Sequence, residues 1–379
     1  MIKRTLTDTI KNNLKPGFIN IVYGPRRVGK TVLLQQLTKN ISRSDILWFN
    51  GDTQETRDAL STTSEVALSH LVDKAKVVVV DEAQRIANIG LSLKILIDTF
   101  PKKTYFVTGS SSLMLARGIQ ESLTGRAIKY RLFPLSTQEL AVGLKTHQKT
   151  AILEDQLLFG GYPYIQHLKN VKDKRDYLKS IVEDYLFKDV LELKEIVSPE
   201  NLKKLAILLA FQIGSEVSLN ELAGNLGVDI KTVRRYLSLF KQSFVIFELG
   251  AFSKNLRKEV VKSKKYYFWD LGIRNALIDQ FLPLDSRIDI GQLWENFLAV
   301  ERFKVHEYQR DRAQYYFWRT YDQAEIDWLE IRGEKISAYE FKWQSNRLKK
   351  PKVFLETYPK AKLKLVNQGN FQDFLRLKK

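Results

Sequence analysis

Eight residues constrain this chain more than any others: Gly24-Pro25-Arg26-Arg27-Val28-Gly29-Lys30-Thr31. They fit the pattern of glycine, four variable positions, glycine, lysine and a hydroxyl residue. The apolar run Phe18-Ile19-Asn20-Ile21-Val22-Tyr23 precedes them, and an amphipathic stretch, Val32 to Lys39, follows. A buried strand that turns through a glycine loop into a helix aims backbone N–H groups at an anion, and the helix dipole adds to the pull. Lys30 supplies a point charge for β- and γ-phosphates, and Thr31 supplies a hydroxyl for Mg²⁺. The segment predicts a phosphate-binding loop for ATP, and a chain with such a loop needs a parallel sheet to carry it.

The surrounding sequence supplies that sheet. Ile46 to Phe49, Val77 to Val80, Tyr105 to Thr108 and Ile128 to Phe133 are short apolar runs separated by helical patterns. This is the rhythm of strands buried on both faces by crossover helices. Val77-Val78-Val79-Val80 runs into Asp81-Glu82. Ligands collect at the carboxyl ends of parallel strands. Asp81 is therefore expected to hold Mg²⁺, and Glu82 to polarise the attacking water. Thr108-Gly109-Ser110-Ser111-Ser112 closes the next strand, where Ser110 could set a hydroxyl between the acids and the γ-phosphate. Arg126, and less strongly Arg131, could offset transition-state charge, in cis or from a neighbouring subunit. Arg26 and Arg27 complete the predicted ATP-binding loop. Ser136-Thr137-Gln138-Glu139 predicts a capping box.

At this point the chain resembles a family. The loop Gly24–Thr31, Asp81-Glu82-Ala83-Gln84, Thr108-Gly109-Ser110-Ser111, Gly125-Arg126 with Pro134-Leu135-Ser136, and the later Gly160-Gly161-Tyr162-Pro163 look like the AAA-type ATPases of bacteria and archaea. Members of that family carry a C-terminal domain of long-unassigned function. The resemblance covers most of the chain and implies a Mg²⁺-dependent ATP-hydrolysing enzyme. Related ATPases often place Asn after the sensor strand; here serines stand there.

Four segments are expected: an AAA-type P-loop ATPase core at 1–140, a helical lid or linker at 141–200, a winged helix-turn-helix at 201–285 and a small α/β domain at 286–379. Tyr177 to Ile196 has helical spacing, and Pro199 is read as its breaker. In the third segment, Val217 to Ala223 and Ile230 to Leu237 flank the turn Gly224-Asn225-Leu226-Gly227. Val233 and Leu237 face a core. Lys231, Thr232, Arg234, Arg235 and Tyr236 fall on the other faces, as in a helix that reads a major groove. Lys231, Arg234 and Arg235 are the expected DNA contacts. A hairpin of Phe244–Leu249 and Tyr266–Trp269 would enclose a basic wing of Lys254, Arg257, Lys258, Lys262, Lys264 and Lys265. Such domains also serve as packing modules.

The last segment holds a candidate nuclease site. Glu295 lies on a helical pattern, Asp327 in the strand pattern Ala324–Leu329, and Glu340 and Lys342 two apart on another strand, hence on one face. Two carboxylates and a lysine suit metal-assisted phosphodiester cleavage. Asp327 and Glu340 would hold Mg²⁺ or Mn²⁺, Lys342 would orient water, and Glu295 would complete the shell. The set resembles the PD-(D/E)XK restriction-endonuclease-like fold, with Ile326 in place of the leading proline and Gln344 at a further polar position. The plain alternative is a charged strand end.

The net charge of +18 favours a polyanionic partner. The chain has no cysteine, so disulfides and thiolate zinc sites are excluded, and its four histidines are scattered. No apolar run approaches the roughly 18 residues that span a bilayer, and Met1-Ile2-Lys3-Arg4-Thr5 lacks the apolar core of a signal peptide. A cytoplasmic ATPase acting on nucleic acid, most simply DNA, and able to form homo-oligomers is the expectation, with no membrane partner. An alternative is a nucleotide-switched protein-interaction module whose nuclease-like scaffold is inert. A small-molecule kinase would also use the loop, but it leaves the helix-turn-helix and the Asp327/Glu340/Lys342 set unexplained.

Overall fold

The computed structural model describes residues 2–109, 122–183, 198–253, 264–320, 324–348 and 351–377. The chain is mixed α/β and divides into two compact units, residues 1–135 with 242–244, and residues 136–241 with 245–379.

The first unit is built on five parallel strands: β1 (Ile19–Tyr23), β2 (Ile46–Asn50), β3 (Val77–Asp81), β4 (Thr104–Gly109) and β5 (Ala127–Arg131). Their order is β2-β3-β4-β1-β5. Helices α1 (Thr5–Lys11), α2 (Lys30–Thr38), α3 (Gln54–Leu60), α4 (Glu65–Val72) and α5 (Ile89–Thr99) belong to the same unit. Every residue of β3 is buried, because the strand runs between two neighbours and is covered on both faces. Val78 and Val80 pack with Leu93, Leu96 and Ile97 of α5 and with Leu68 of α4. Register is tight: Ile19 pairs with Tyr105 and with Ala127, and Tyr23 with Gly109 and with Arg131. All five carboxyl ends therefore lie along one edge of the sheet.

The second unit opens with α6 (Thr137–Leu140), α7 (Thr146–Phe159), α8 (Val171–Ile181) and α9 (Pro199–Phe211). The capping box forms, with Ser136 accepting from the Glu139 N–H and Glu139 accepting from the Ser136 N–H. Pro199 opens a helix rather than only ending one. It stands at the first helical position behind the Ser198 cap, where its missing N–H costs nothing. The stretch 184–197, which includes most of the expected Tyr177–Ile196 helix, lies outside the described residues.

Then follow β6 (Glu216–Val217), α10 (Leu219–Leu226), α11 (Ile230–Gln242), β7 (Ile246–Ala251), β8 (Lys264–Phe268) and α12 (Leu271–Leu277). The last stretch is α13 (Ile290–Gln309), β9 (Gln314–Arg319), β10 (Glu325–Arg332), β11 (Lys335–Phe341), α14 (Lys352–Thr357), β12 (Lys362–Val366) and α15 (Phe371–Phe374). One seven-stranded sheet, β12-β11-β10-β9-β7-β8-β6, runs through both stretches. The join is β7 beside β9, where Gly250 pairs with Tyr316 and Ala251 with Phe317. Inside the C-terminal stretch, β10 is antiparallel to β9 and β11, and β12 returns parallel to β11 across α14. The element order from α13 to β12 is αβββαβ. Trp318, Ile326, Leu329, Ala338 and Phe354 form its apolar core. No helix of the described residues is long and apolar enough to cross a membrane.

Candidate functional site

The glycine loop lies where the sequence puts it, between Tyr23 of β1 and Lys30 of α2. Its two glycines are required by geometry. A Cβ on Gly24 would overlap the carbonyl oxygen of Leu132, which follows β5. Gly29 takes φ +91°, in the left-handed region that side chains avoid. Lys30 is 5% exposed, and its ammonium donates to the carbonyls of Gly24 at 3.2 Å and Pro25 at 3.0 Å. Neutral carbonyls are weaker acceptors than phosphate oxygens, so the lysine is held in place by bonds that an anion can replace. Arg4 braces the loop from behind. Its buried guanidinium donates to the carbonyls of Val28 at 2.6 Å and Phe133 at 2.7 Å, tying loop to sheet. The sequence reading missed Arg4, since nothing local marks a lone N-terminal arginine as buried.

The two acids at the end of β3 are held by one hydroxyl. Thr108 is fully buried at the end of β4 and donates to Asp81 Oδ1. The same hydroxyl accepts from the Glu82 backbone N–H at 3.1 Å. Thr31 donates to the other Asp81 oxygen at 2.6 Å. Glu82 leaves the strand in a left-handed conformation, φ +52°, and its carboxylate accepts from Gln84 at 2.5 Å. A non-glycine residue held there is strained, and the Thr108 bond is one restraint that keeps it. Lys30, Thr31, Asp81, Glu82 and Thr108 thus form one connected patch at the carboxyl edge. Ser110 lies outside the described residues.

Arg126 is not brought to this patch. It precedes β5 at the opposite edge, where its carbonyl accepts from Ile19 N–H at 2.8 Å and its side chain pairs with Asp98 at 2.6 Å. A five-residue strand separates the two edges by about 17 Å. The expected role in cis is therefore corrected. Arg131, at the far end of β5 and level with Tyr23, lies instead at the loop's edge of the sheet.

Helices α10 and α11 occupy the two stretches expected to be helical, with Ser218 capping α10 and Gly227 ending it. Asp229 accepts from the Thr232 N–H at 2.6 Å at the start of α11. Lys231 and Arg234 are exposed on α11 and Arg235 is half-buried, its guanidinium 5.7 Å from the Tyr236 ring. Tyr236 does not face outward as expected: it is fully buried against Ser198. The hairpin pairs Ile246 with Phe268, with its strands at Ile246–Ala251 and Lys264–Phe268. Lys254, Arg257, Lys258 and Lys262 lie outside the described residues. Lys264 and Lys265 are not wing contacts. Lys264 pairs with Glu248, and Lys265 is buried.

Glu295, Asp327 and Glu340 lie close enough to influence one another's charge. Asp327 stands on β10 beside a register shift between Ile326 and Leu329, a one-residue bulge, and accepts from the Phe341 N–H at 2.7 Å. Glu340 and Lys342 pair at 2.8 Å at the end of β11. Burial, then Glu295 and Glu340, push the Asp327 carboxyl well above the usual carboxylate range. Burial also raises Glu340, against the pull of Lys342. The unforeseen member is Lys265. Only 1% exposed, it pairs with Glu295 at 2.8 Å and with Glu325. Burial opposes its charge, but Glu295, Asp327 and Glu325 outweigh that and hold the ammonium above the usual lysine range. Tyr267 donates to the same Glu295 oxygen at 2.6 Å. The expected Mg²⁺ or Mn²⁺ ligands do not fit a metal as they stand. One oxygen of each is engaged: Glu295 Oε1 by Lys265 and Tyr267, Asp327 Oδ2 by Phe341 N–H, and Glu340 Oε1 by Lys342. Among the described residues no group of three or more carboxylates or histidines is arranged to hold a metal ion.

Comparison with known proteins finds three family matches along the chain. Residues 17–141 match an AAA domain. Residues 150–284 and 290–376 match two domains of unknown function, DUF8612 and DUF4143. The first unit therefore has the fold of an AAA-type ATPase. Among individual proteins, an uncharacterized protein of Methanocaldococcus jannaschii is 26% identical over 378 residues, covering 94% of this chain and 82% of its own. One of Mycobacterium tuberculosis is 27% identical over 338 residues, covering 87% of this chain and 72% of its own. The solved Walker-type ATPase of Pyrococcus abyssi shares the fold, with a TM-score of 0.50 at 15% identity over 73% of this chain and 96% of that one.

Proposed function

We propose that this chain binds ATP with Mg²⁺ at the loop Gly24–Thr31 and hydrolyses it, and that it acts on nucleic acid, most simply DNA. The observation that carries the first half is the chain Thr31–Asp81–Thr108–Glu82, in which hydroxyls hold the Asp81 carboxylate and the Glu82 backbone. In this reading Lys30 exchanges its carbonyl partners for phosphate oxygens. Thr31 and Asp81 are hard oxygen donors and fit Mg²⁺. The ion when bound offsets charge on the β- and γ-phosphates. Glu82 accepts the proton of the attacking water, and Arg131 lies on the edge where charge develops. Arg126 serves a neighbouring copy, so that association into a homo-oligomer raises turnover above that of the monomer.

Residues 201–285 support a winged-helix reading by their order: helix, short strand, two helices and a hairpin, with β8 between β6 and β7. Lys231 and Arg234 would meet phosphates, with Arg235 set deeper. The αβββαβ order of residues 290–366 supports a restriction-endonuclease-like domain. One oxygen of each carboxylate is already held by the protein's own donors, which speaks against a cleavage step at Glu295, Asp327, Glu340 and Lys342. That occupancy favours the second reading, an ATP-switched binding module on an inert nuclease-like scaffold.

Phosphate release by the wild type and by Lys30→Ala, with and without duplex DNA, tests both halves. Loss of turnover in Lys30→Ala supports hydrolysis at this loop. Turnover that rises with DNA supports the nucleic-acid reading, and turnover that stays flat favours the interaction module.

A further inference from the structure

Lys265 is an unusual residue to find inside a carboxylate cluster. It lies on β8, where it pairs with Glu216 of β6 and Leu249 of β7. Its side chain leaves that sheet to reach Glu295 on α13 and Glu325 on β10. Three separate elements therefore meet on one ammonium. A buried ammonium is costly unless every donor finds an acceptor and the charge is matched. Here the partners within ion-pair distance are both acids, Glu295 and Glu325. Four carboxylates, Glu295, Glu325, Asp327 and Glu340, face two ammonium groups, Lys265 and Lys342.

The position matters more than the pairing. Glu295, Asp327 and Glu340 are the residues whose convergence would serve a divalent cation, and such a cation needs several carboxylate oxygens free at once. Glu295 Oε1 instead accepts from both Lys265 and Tyr267, at 2.8 and 2.6 Å. Asp327 Oδ2 accepts from Phe341 N–H, and Glu340 Oε1 is taken by Lys342. The positive charge in the centre of the cluster comes from the chain itself, and it comes from the hairpin rather than from the strand that carries Glu340.

We propose that the Lys265 ammonium is the resident cation of the Glu295/Glu325/Asp327/Glu340 cluster. It excludes a divalent metal in the resting protein and locks the β7–β8 hairpin to α13 and β10. The inference is independent of ATP hydrolysis at the loop.

The test is a Mn²⁺ titration of the full ATP-free chain, with free Mn²⁺ read by electron paramagnetic resonance. Wild type and Asp327→Asn should bind Mn²⁺ alike, because the cluster contributes no site. Lys265→Met keeps the stem and removes the charge. It should gain one Mn²⁺ per chain, and the double variant Lys265→Met/Asp327→Asn should lose that site again. Two results overturn the proposal. One is a Mn²⁺ site in the wild type that Asp327→Asn abolishes. The other is a folded Lys265→Met with no site beyond those of the wild type. Should Lys265→Met not fold, the wild-type and Asp327→Asn titrations decide the question alone.

Discussion

Thr108→Val removes one hydroxyl and keeps the branched shape, so it isolates what that hydroxyl does. Two bonds disappear, the one donated to Asp81 and the one accepted from Glu82 N–H. Thr108 is fully buried, so no water replaces them without local rearrangement. A hydrogen bond to a charged group is worth about 1.5–3 kcal/mol, and a stranded buried N–H costs about 1–3 kcal/mol. Part of that appears as lower stability. The part that matters for turnover is the freedom Glu82 gains, since its left-handed backbone is no longer restrained by this bond. At about 1.4 kcal/mol per factor of ten, kcat for ATP hydrolysis should fall roughly 10- to 100-fold. KM should change less than about threefold, because the glycine loop and Lys30 hold the phosphates without Thr108. Thr108→Ser keeps the hydroxyl and should recover most of the loss. The assay is steady-state phosphate release over a range of ATP, with thermal unfolding of each variant alongside. A Thr108→Val protein whose kcat stays within about twofold of the wild type would refute the positioning role.

Other outcomes follow from the same geometry. Arg131→Ala should lower kcat at every protein concentration, whereas Arg126→Ala should lower it only where copies associate. Turnover measured across a dilution series separates the two, and equal losses in dilute monomer would return Arg126 to a role in cis. Lys231→Ala and Arg234→Ala should each lower the salt slope of duplex binding by about 0.9 per lost phosphate contact, with affinity falling alike for all sequences. Unchanged slopes would remove α11 from the DNA surface. Burial pushes the Glu330 carboxyl up, but His306 and Arg302, the latter at 2.5 Å, more than reverse it and hold it far below its ordinary 4.5. Its contribution to stability is therefore complete above that value and drains as pH falls below it. Glu330→Gln should flatten the decline of Tm between roughly pH 5 and pH 3, and an acid limb as steep as the wild type's would contradict this.

The nucleotide edge was readable because its chemistry is local. Gly24, Gly29, Lys30 and Thr31 are consecutive or nearly so, and Asp81 and Glu82 end an apolar strand, so spacing alone places them at one edge of the sheet. What spacing could not carry was the direction of a connection. Arg126 and Arg131 differ by five residues, which is one strand length and hence opposite edges of the sheet. The sequence marks both as arginines beside an apolar run, and only the register of β5 on β1 separates them. Arg4 was invisible for the related reason that its partners, Val28 and Phe133, are 24 and 129 residues away.

The same limit explains Lys265. In sequence it belongs to a basic stretch, Lys262-Ser263-Lys264-Lys265, that reads as part of a phosphate-contacting wing. Strand alternation sends Lys264 toward Glu248 and Lys265 to the other face. On that face the sheet continues through β7 into β9 and β10, so the buried lysine arrives among acids contributed some thirty to seventy-five residues later. The helix-turn-helix stretch and the carboxylate stretch looked like separate pieces because each has its own local signature. Continuity of one sheet is a non-local property, and it turns a lysine that looked like part of a phosphate-binding wing into the charge that neutralises a metal-like cluster. A positive net charge of the whole chain is therefore a poor guide to which lysines face a polyanion. Lys231 and Arg234 remain exposed on α11, while Lys265, equally basic in sequence, is spent inside.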